Sequence, residues 1–301
     1  MEYQEFEQTL RQVLLDNNSK KMIYKLIDAP YRFNSLMHPF EFKVKFEQAF
    51  IRSQENKYYN FIKDYALLLF NKYGYKTMEN IIKINKVDKN DPQLFIVQNL
   101  RFSHVFLDEQ NKNLYLVLQK KRDTYSLNES AKLLSKLKEM ANDVSDLYKE
   151  FNIKAFIWFT EVDHRKNEEF YNTNTFINEN EKVTCLARYS SELFAELNHS
   201  EDWDQFEIYL SKFKNYNYQD FLKLPDLDTD KEALETLVNL SNSAWDKLNS
   251  LEPIYINIRK SIFNERSENS NLFKAKKERE IIQNSSDEDI LKNELIKEGL
   301  R

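Results

Sequence analysis

The order of strands and helices in the middle of the chain constrains its fold more than any other feature of the sequence. Residues 101–108 and the segment that begins at Leu114 are apolar, and the polar residues between them predict a turn and hence a hairpin. Ser126 and Glu129 then form the Ser-x-x-Glu pattern of a capping box in front of an amphipathic helix. Residues 153–159 follow as an uninterrupted apolar strand, which is typical of a strand buried on both faces of a sheet.

The preceding and following segments extend this order in both directions. Apolar residues recur every three or four positions from residue 39 to residue 73, which predicts a long helix with Gly74 as its C-terminal cap. Residues 76–84 predict the first strand. The sequence therefore predicts an α/β fold with an α-β-β-β-α-β core, a mixed sheet and additional C-terminal helices. We assign residues 1–230 to this α/β domain and residues 231–301 to a helical region packed on it, with a partly ordered tail.

Composition excludes several classes of protein. The two glycines of the chain form no glycine-rich phosphate-binding pattern, which argues against Rossmann dehydrogenases, P-loop NTPases and protein kinases. Cys185 is the single cysteine, so the chain has no internal disulfide and no multi-cysteine zinc site, and we expect a small buried side chain there. No leader segment and no apolar run of about 18 residues is visible, so we expect a soluble, cytoplasmic protein with no membrane partner.

Three longer stretches carry a resemblance to a known family. They are RSQENKYYNF (residues 52–61), FSHVFLDEQNKNLYLVLQKKRDTYS (102–126) and LPDLDTDKEALETL (224–237). In this order they resemble one group of type II restriction endonucleases of the PD-(D/E)XK superfamily. The resemblance implies a restriction-endonuclease-like core and Mg²⁺-dependent cleavage of double-stranded DNA. It also implies a homodimer or a heterodimer that works alongside a cognate DNA methyltransferase.

The same resemblance exposes two departures from the family pattern. The family has a metal-binding Asp on the first hairpin strand and a Glu-x-Lys on the second. If Asp108 closes the hairpin opposite Leu114, then His104 lies opposite Leu118. The match then places His104 at the Asp position and Leu118 at the Glu position, and Lys120 alone keeps its role. In this register His104 is a candidate general base, or a hydrogen-bond donor to a DNA phosphate, since a histidine is a poor ligand for Mg²⁺.

A displacement of one residue would change the site. It would bring Gln119 and Lys121 into the catalytic positions, because a one-residue slip turns every side chain to the other face. A carboxylate for Mg²⁺ would then have to come from Asp108, or from Glu47 or Glu55 on the long helix.

Basic and amide side chains near the end of the hairpin are candidates for contact with DNA. The net charge of -5 does not exclude this role, since 44 Lys and Arg residues can still form local basic surfaces. The expected DNA-binding residues are Arg122, Arg165, Lys166, Asn172 and Asn174. Arginine and lysine contact phosphates, and an asparagine can pair with an adenine edge.

These features leave several functions open. The first is a type II endonuclease that uses Mg²⁺. The second is an inactive DNA-binding homologue, or the non-cutting subunit of a heterodimeric nuclease. The third is a helical protein-interaction module whose basic edge binds acidic proteins. A nuclease needs the side chains of residues 119–122 on an open concave face, whereas an interaction module would bury that edge or leave it flat.

Overall fold

A computed structural model of the protein describes residues 2–87, 95–178, 182–217 and 223–284. The chain forms two compact units. The central unit is Tyr59–Lys214, and the terminal unit consists of Met1–Tyr58 together with Asn215–Arg301. The domain boundary expected at residue 230 lies inside the terminal unit.

The described residues begin and end with runs of helices, the strands lie between these runs, and a 3-10 turn occupies Pro30–Arg32. The helices are α1 (Tyr3–Leu15), α2 (Asn18–Asp28), α3 (Phe42–Lys72), α4 (Leu127–Leu147), α5 (Glu168–Thr173), α6 (Glu192–Ala195), α7 (Ser200–Asn217), α8 (Lys231–Val238), α9 (Asn242–Leu248), α10 (Pro253–Ile262) and α11 (Asn271–Asn284). The strands are β1 (Lys76–Thr77), β2 (Ile81–Val87), β3 (Phe95–Arg101), β4 (His104–Asp108), β5 (Asn113–Lys120), β6 (Asn152–Phe159), β7 (Phe176–Ile177) and β8 (Val183–Tyr189). Within these described ranges, none of the helices combines the length and the apolar character needed to cross a lipid bilayer.

The central unit is built on a six-stranded sheet with the order β1-β4-β5-β6-β8-β7. β1, β4 and β5 are antiparallel, β5, β6 and β8 are parallel, and β7 is antiparallel to β8. The tight turn between β4 and β5 permits only antiparallel pairing, while α4 provides the long crossover that parallel pairing of β5 and β6 requires. The predicted α/β class and mixed sheet are confirmed.

A separate ribbon of β2 and β3 interrupts the predicted strand order. The segments predicted as single strands at residues 76–84 and 101–108 are each divided between the six-stranded sheet and this ribbon. Ile82, Ile84 and Leu100 are buried, whereas the other described side chains of the ribbon are exposed or half-buried. The ribbon therefore packs through one face only, which the short apolar stretches did not distinguish from a strand inside the main sheet.

The hairpin of β4 and β5 is displaced by one residue from the predicted register. His104 pairs with Val117 instead of Leu118, and Asp108 pairs with Asn113. Because Asn113 joins the strand instead of the turn, every later pair moves by one residue. The predicted face shared by His104 and Leu118 is therefore wrong, and the alternative with Gln119 is observed.

Helix α4 begins at the predicted capping box. Glu129 N donates to Ser126 Oγ at 3.4 Å, and Ser126 N donates to Glu129 Oε2 at 2.8 Å. The buried face of α4, which includes Leu137, Ala141 and Val144, packs against β6 and β8. Both the helix and the strand that follows it are thus confirmed.

The long helix predicted between residues 39 and 73 is α3, and its end is closed by Gly74. Gly74 has a φ of 80°, a left-handed conformation that glycine adopts without steric penalty. Tyr75 N donates to Phe70 O at 3.2 Å, and Gly74 N donates to Asn71 O at 3.0 Å, which is a Schellman motif. In the central unit, Phe70 stacks on Phe106 of β4 with ring centroids 4.2 Å apart.

The terminal unit has its own helical core, formed by α2, the first half of α3 and the helices from α8 to α11. The C-terminal helices predicted from the sequence are present as far as Asn284, and the tail of residues 285–301 lies outside the described residues. One buried cation stands out in this unit. Lys57 Nζ donates to Leu14 O at 3.0 Å and to Asn18 Oδ1 at 2.6 Å, and it also contacts Asp16 O. It therefore satisfies backbone carbonyls at the end of α1 that the helix itself cannot pair.

Cys185 lies in β8 and is fully buried, as the sequence predicts. Burial raises the pKa of its thiol from 9.0 to about 12, and the charge of Lys138 opposes this shift. The thiol is therefore protonated and unreactive in the folded chain.

Candidate functional site at the end of the hairpin

The register of the hairpin decides which of the predicted site residues lie together. Successive side chains of β5 point to opposite faces of the sheet. Gln119 therefore lies on the face of His104, with Lys121 next along it, whereas Lys120 lies on the opposite face with Leu118. The structure brings Gln119 and His104 together and separates both from Lys120.

His104 and Gln119 form a buried polar pair. His104 Nε2 lies 3.0 Å from Gln119 Oε1, and the two residues are 2% and 5% exposed. Burial lowers the pKa of His104 from 6.5 to about 4, which the hydrogen bond to Gln119 opposes and the charge of Lys63 reinforces. The imidazole is therefore neutral at neutral pH and donates its Nε2 proton to Gln119.

Aromatic rings enclose this pair. Phe70 meets the His104 ring edge-on with centroids 5.4 Å apart, and Trp158 lies 6.3 Å away. Gln119 Nε2 is buried and has no hydrogen-bond partner among the residues that the structure describes. A pair so enclosed cannot contact a DNA phosphate, since neither side chain is open to solvent.

Lys121 reaches helix α3 instead of the hairpin. Its ammonium lies 5.0 Å from the centre of the Tyr59 ring, within cation–π distance. Lys63, one turn further along α3, is close enough to His104 to influence its pKa. Sequence reasoning did not select Tyr59 or Lys63, although both adjoin residues that it did select.

Lys120 lies on the face covered by α4. It is half-buried, and burial lowers its pKa, as does the neighbouring charge of Lys136. The charge of Lys136 beside that of Lys120 marks a locally positive edge at the end of β5. This edge consists of Lys120 and Lys136 on one face of the sheet and Lys121 on the other.

The chain that leaves β5 stays attached to the chain that leaves β6. Thr160 N donates to Lys120 O at 2.9 Å, and Glu161 N donates to Lys121 O at 3.1 Å. Arg122 is exposed and forms an ion pair with Glu161. One acid thus partly offsets the three consecutive cations.

Arg165, an expected DNA contact, is engaged within the protein. Its guanidinium bonds Glu168 at 2.8 Å and Glu192 at 2.6 Å. It also stacks over the ring of Tyr189 at 4.7 Å. The structure therefore gives Arg165 a role in holding the loop that precedes α5.

Asp123 is the buried centre of this region, and sequence reasoning missed it. It is fully buried and accepts hydrogen bonds from Asn167 N at 2.6 Å, Asn167 Nδ2 at 2.7 Å and the Tyr189 hydroxyl at 2.9 Å. A parallel bridge joins Asp123 to Arg165. Burial, followed by the bond to Asp123, raises the pKa of Tyr189. Asp123 thereby fixes the segment after the cations against the loop before α5.

The predicted metal ligands belong to two different units of the chain. Asp108 binds its own turn, accepting from Asn111 N at 3.0 Å and from Asn111 Nδ2 at 2.7 Å. Glu47 and Glu55 lie on the part of α3 that belongs to the terminal unit. Across the described ranges, no group of three or more His, Cys, Asp or Glu side chains is placed to hold a metal ion. The hairpin residues therefore do not fit Mg²⁺, which takes hard oxygen ligands.

The remaining expected DNA contacts lie on and around α5. Lys166 and Asn172 are exposed. Asn174 is also exposed, and its Nδ2 donates to Phe170 O at 2.8 Å, which closes the end of α5. Residues 179–181 of the loop that follows lie outside the described residues.

Comparison with known proteins adds no identification. No protein-family model matches this chain, and neither does any curated protein sequence. Inference of function therefore rests on the residues of the site and on the order of its strands.

Proposed function

We propose that this chain binds double-stranded DNA as a divergent relative of the type II restriction endonucleases, and that its hairpin no longer cuts. The order of α3, β1, β4, β5, α4 and β6 supports the proposal. Apart from the inserted ribbon of β2 and β3, this order is the α-β-β-β-α-β order that the resemblance implies, with an antiparallel hairpin followed by a parallel strand. Fold alone does not determine function, so the site residues must carry the inference.

The single observation that carries the proposal is the bond between His104 and Gln119. In the observed register Gln119 shares a face with His104, and the resemblance then assigns Gln119 to the position of the motif's acid on the second strand. The family has metal-binding carboxylates at these two places. A buried neutral pair in their place offers no negative charge to a divalent cation.

The cations at the end of β5 supply the expected contact with DNA. Lys121 and Arg122 are exposed and Lys120 is half-buried. Lys166 and Asn172 offer a further exposed cation and amide. Lysine and arginine contacts with phosphates bind DNA without cutting it, and their strength depends on salt.

The test is DNA binding measured by fluorescence anisotropy at several salt concentrations. The double variant Lys120→Ala/Lys121→Ala should bind a labelled duplex more weakly, and the slope of log Kd against log salt should fall by about 1 to 2. Lys83→Ala is the matched control, because Lys83 is an exposed cation of the same unit on β2. Equal binding by all three proteins would rule out this edge as the DNA contact and would favour the protein-interaction alternative.

An active endonuclease is the second candidate, because Gln119 and Lys121 lie on one face as a Gln-x-Lys version of the catalytic pattern. In this case Mg²⁺ needs carboxylates from outside the hairpin. Such an enzyme would act as a homodimer, or as one subunit of a heterodimer, beside a cognate DNA methyltransferase.

The two candidates are separated by incubating unmethylated plasmid DNA with the protein and Mg²⁺ or Mn²⁺. Discrete fragments that disappear with Lys121→Ala would establish cleavage and overturn the non-cutting proposal. Binding without fragments in either metal is the result we expect.

A further inference from the structure

A cleft of about 570 Å³ opens in the terminal unit, on the surface formed by α2, the loop after it and the first part of α3. Its volume is in the range of pockets that bind a nucleotide-sized ligand. All of its lining residues belong to the terminal unit, so the cleft is independent of the hairpin site.

The lining of this cleft is strongly cationic. It includes Lys25, Arg32, Lys45 and Arg52, and none of the described residues that line it is Asp or Glu. Among the ion pairs of the described residues, none involves any of these four cations. Cations that line a concave surface without an acidic partner create a positive potential that attracts anions.

The hydrogen bonds of the two lysines leave their charges uncompensated. Lys25 Nζ donates to Ala49 O at 3.0 Å, and Lys45 Nζ donates to Gln48 Oε1 at 2.6 Å. Both acceptors are neutral. Burial lowers the pKa of Lys25, and the charges of Lys21 and Arg32 lower it further. An anion in the cleft would relieve this repulsion.

His38 adds unsatisfied hydrogen-bonding capacity to the cleft. Both of its ring nitrogens are buried, and neither has a partner within the described part of the chain. Buried polar atoms of native proteins are usually paired, so these two ring nitrogens favour a polar ligand as the occupant of the cleft. Tyr31, which is 59% exposed at the same cleft, offers an aromatic face.

A second cleft extends the positive surface. It shares Lys25, Tyr31 and Arg32 with the first and adds Lys20 and Lys21. Asp28 is the single acid among the described residues that line the two clefts. The positive surface is thus wider than one phosphate group needs.

We propose that this cleft binds a ligand with two or more phosphate groups, contacted by Arg32, Lys45 and Arg52. Arginine holds phosphate through paired N–H donors, and lysine holds it as a point charge. The phosphates come either from a free nucleotide or from successive phosphodiesters of a nucleic-acid strand. This inference does not depend on the DNA contact proposed for the hairpin.

The experiment uses isothermal titration calorimetry of the whole chain with ATP, and anisotropy with a 20-base-pair duplex. The duplex arm is carried out in the Lys120→Ala/Lys121→Ala background, so that the hairpin edge does not contribute. Lys45→Ala and Arg52→Ala should each weaken binding by about tenfold, since each removes a charge-assisted contact. Arg52→Lys keeps the charge and should retain more of the binding. Lys43→Ala, an exposed cation on the same helix outside the cleft, is the matched control.

Binding of ATP that is lost in Lys45→Ala and Arg52→Ala but kept in Lys43→Ala would support the proposal and identify a free nucleotide as the source. The same pattern with the duplex alone would support it and identify phosphodiesters. No binding of either probe, or binding that Lys43→Ala weakens as much as the cleft variants do, would overturn it. These results do not depend on whether the hairpin binds DNA, so the two proposals can fail independently of each other.

Discussion

Replacing Asp123 with alanine removes the shared acceptor of three buried hydrogen bonds. The main-chain N of Asn167 and the hydroxyl of Tyr189 then lose the acceptor they have in the structure, while Asn167 Nδ2 keeps its bond to Tyr125 O at 3.1 Å. Each buried donor without an acceptor costs about 1 to 3 kcal/mol of stability. The variant no longer has to bury a carboxylate charge, and this gain offsets part of the cost of the two unpaired donors. We expect Asp123→Ala to destabilise the central unit by about 3 kcal/mol.

Asp123→Asn is the matched control. Its remaining carbonyl oxygen can still accept from Asn167 N and Tyr189, but its amide NH₂ then faces Asn167 Nδ2, so that one donor meets another. Only one of the three bonds is lost, and we expect a destabilisation of about 1 kcal/mol. The difference between the unfolding free energies of the two variants gives the contribution of the hydrogen-bond acceptor, because Asp123→Asn preserves the packing.

Urea unfolding followed by tryptophan fluorescence measures this effect. The chain has three tryptophans, and a Trp245→Phe background leaves Trp158 and Trp203, both in the central unit, as reporters. With an unfolding slope of about 2 kcal/mol per M, Asp123→Ala should lower the midpoint by about 1.5 M. Equal midpoints for the alanine and asparagine variants would refute the assignment of this stability to the hydrogen bonds.

Three further perturbations follow from the buried polar groups and the helix cap. Burial lowers the pKa of His104 from its ordinary 6.5 to about 4 in the folded chain, so the unfolded chain takes up a proton first as the pH falls. Stability should therefore be complete above pH 6.5 and fall by about 3 kcal/mol towards pH 4. In urea titrations between pH 6.5 and pH 4, the double variant His104→Phe/Gln119→Leu should lack this pH-dependent loss of stability. A pH profile equal to that of the wild type would contradict its assignment to His104. Lys57→Met should lower the free energy of unfolding of the terminal unit by about 2 kcal/mol, because it leaves carbonyls at the end of α1 unpaired, and thermal unfolding that matches wild type would oppose this. Ser126→Ala should cost about 1 kcal/mol and speed amide exchange in the first turn of α4, whereas Ser126→Asp, which keeps a capping acceptor, should not.

Local patterns predicted the parts of the fold that depend on neighbouring residues. The capping box at Ser126, the glycine cap at Gly74 and the apolar strand at residues 153–159 each have their cause within a few positions, and all three are confirmed. The register of the hairpin was not predictable in the same way. It depends on whether Asn113 joins the turn or the strand, and no apolar pattern distinguishes the two because Asn113 is polar in either place.

The candidate site was predicted least well where its contacts are distant in sequence. Lys120 and Lys121 are adjacent in the chain, yet the pleat of the strand sends them to opposite faces. Only the register determines which of the two lysines lies on the face of His104. Asp123 follows the cations directly, but its partners Asn167 and Tyr189 come from a loop and a strand far along the chain. An acid after a basic run suggests a surface ion pair, so its burial could not be inferred without the fold.

The burial of Cys185 has a practical consequence for labelling this protein. Because this is the only thiol of the chain and its pKa is about 12, maleimides and disulfide reagents can modify it only after β8 has been exposed by local or global opening. The rate of modification in native buffer therefore reports how often that strand opens. A cysteine introduced at an exposed position would react far faster, so a fluorophore or spin label can be attached at one chosen place while the native thiol remains in the sequence.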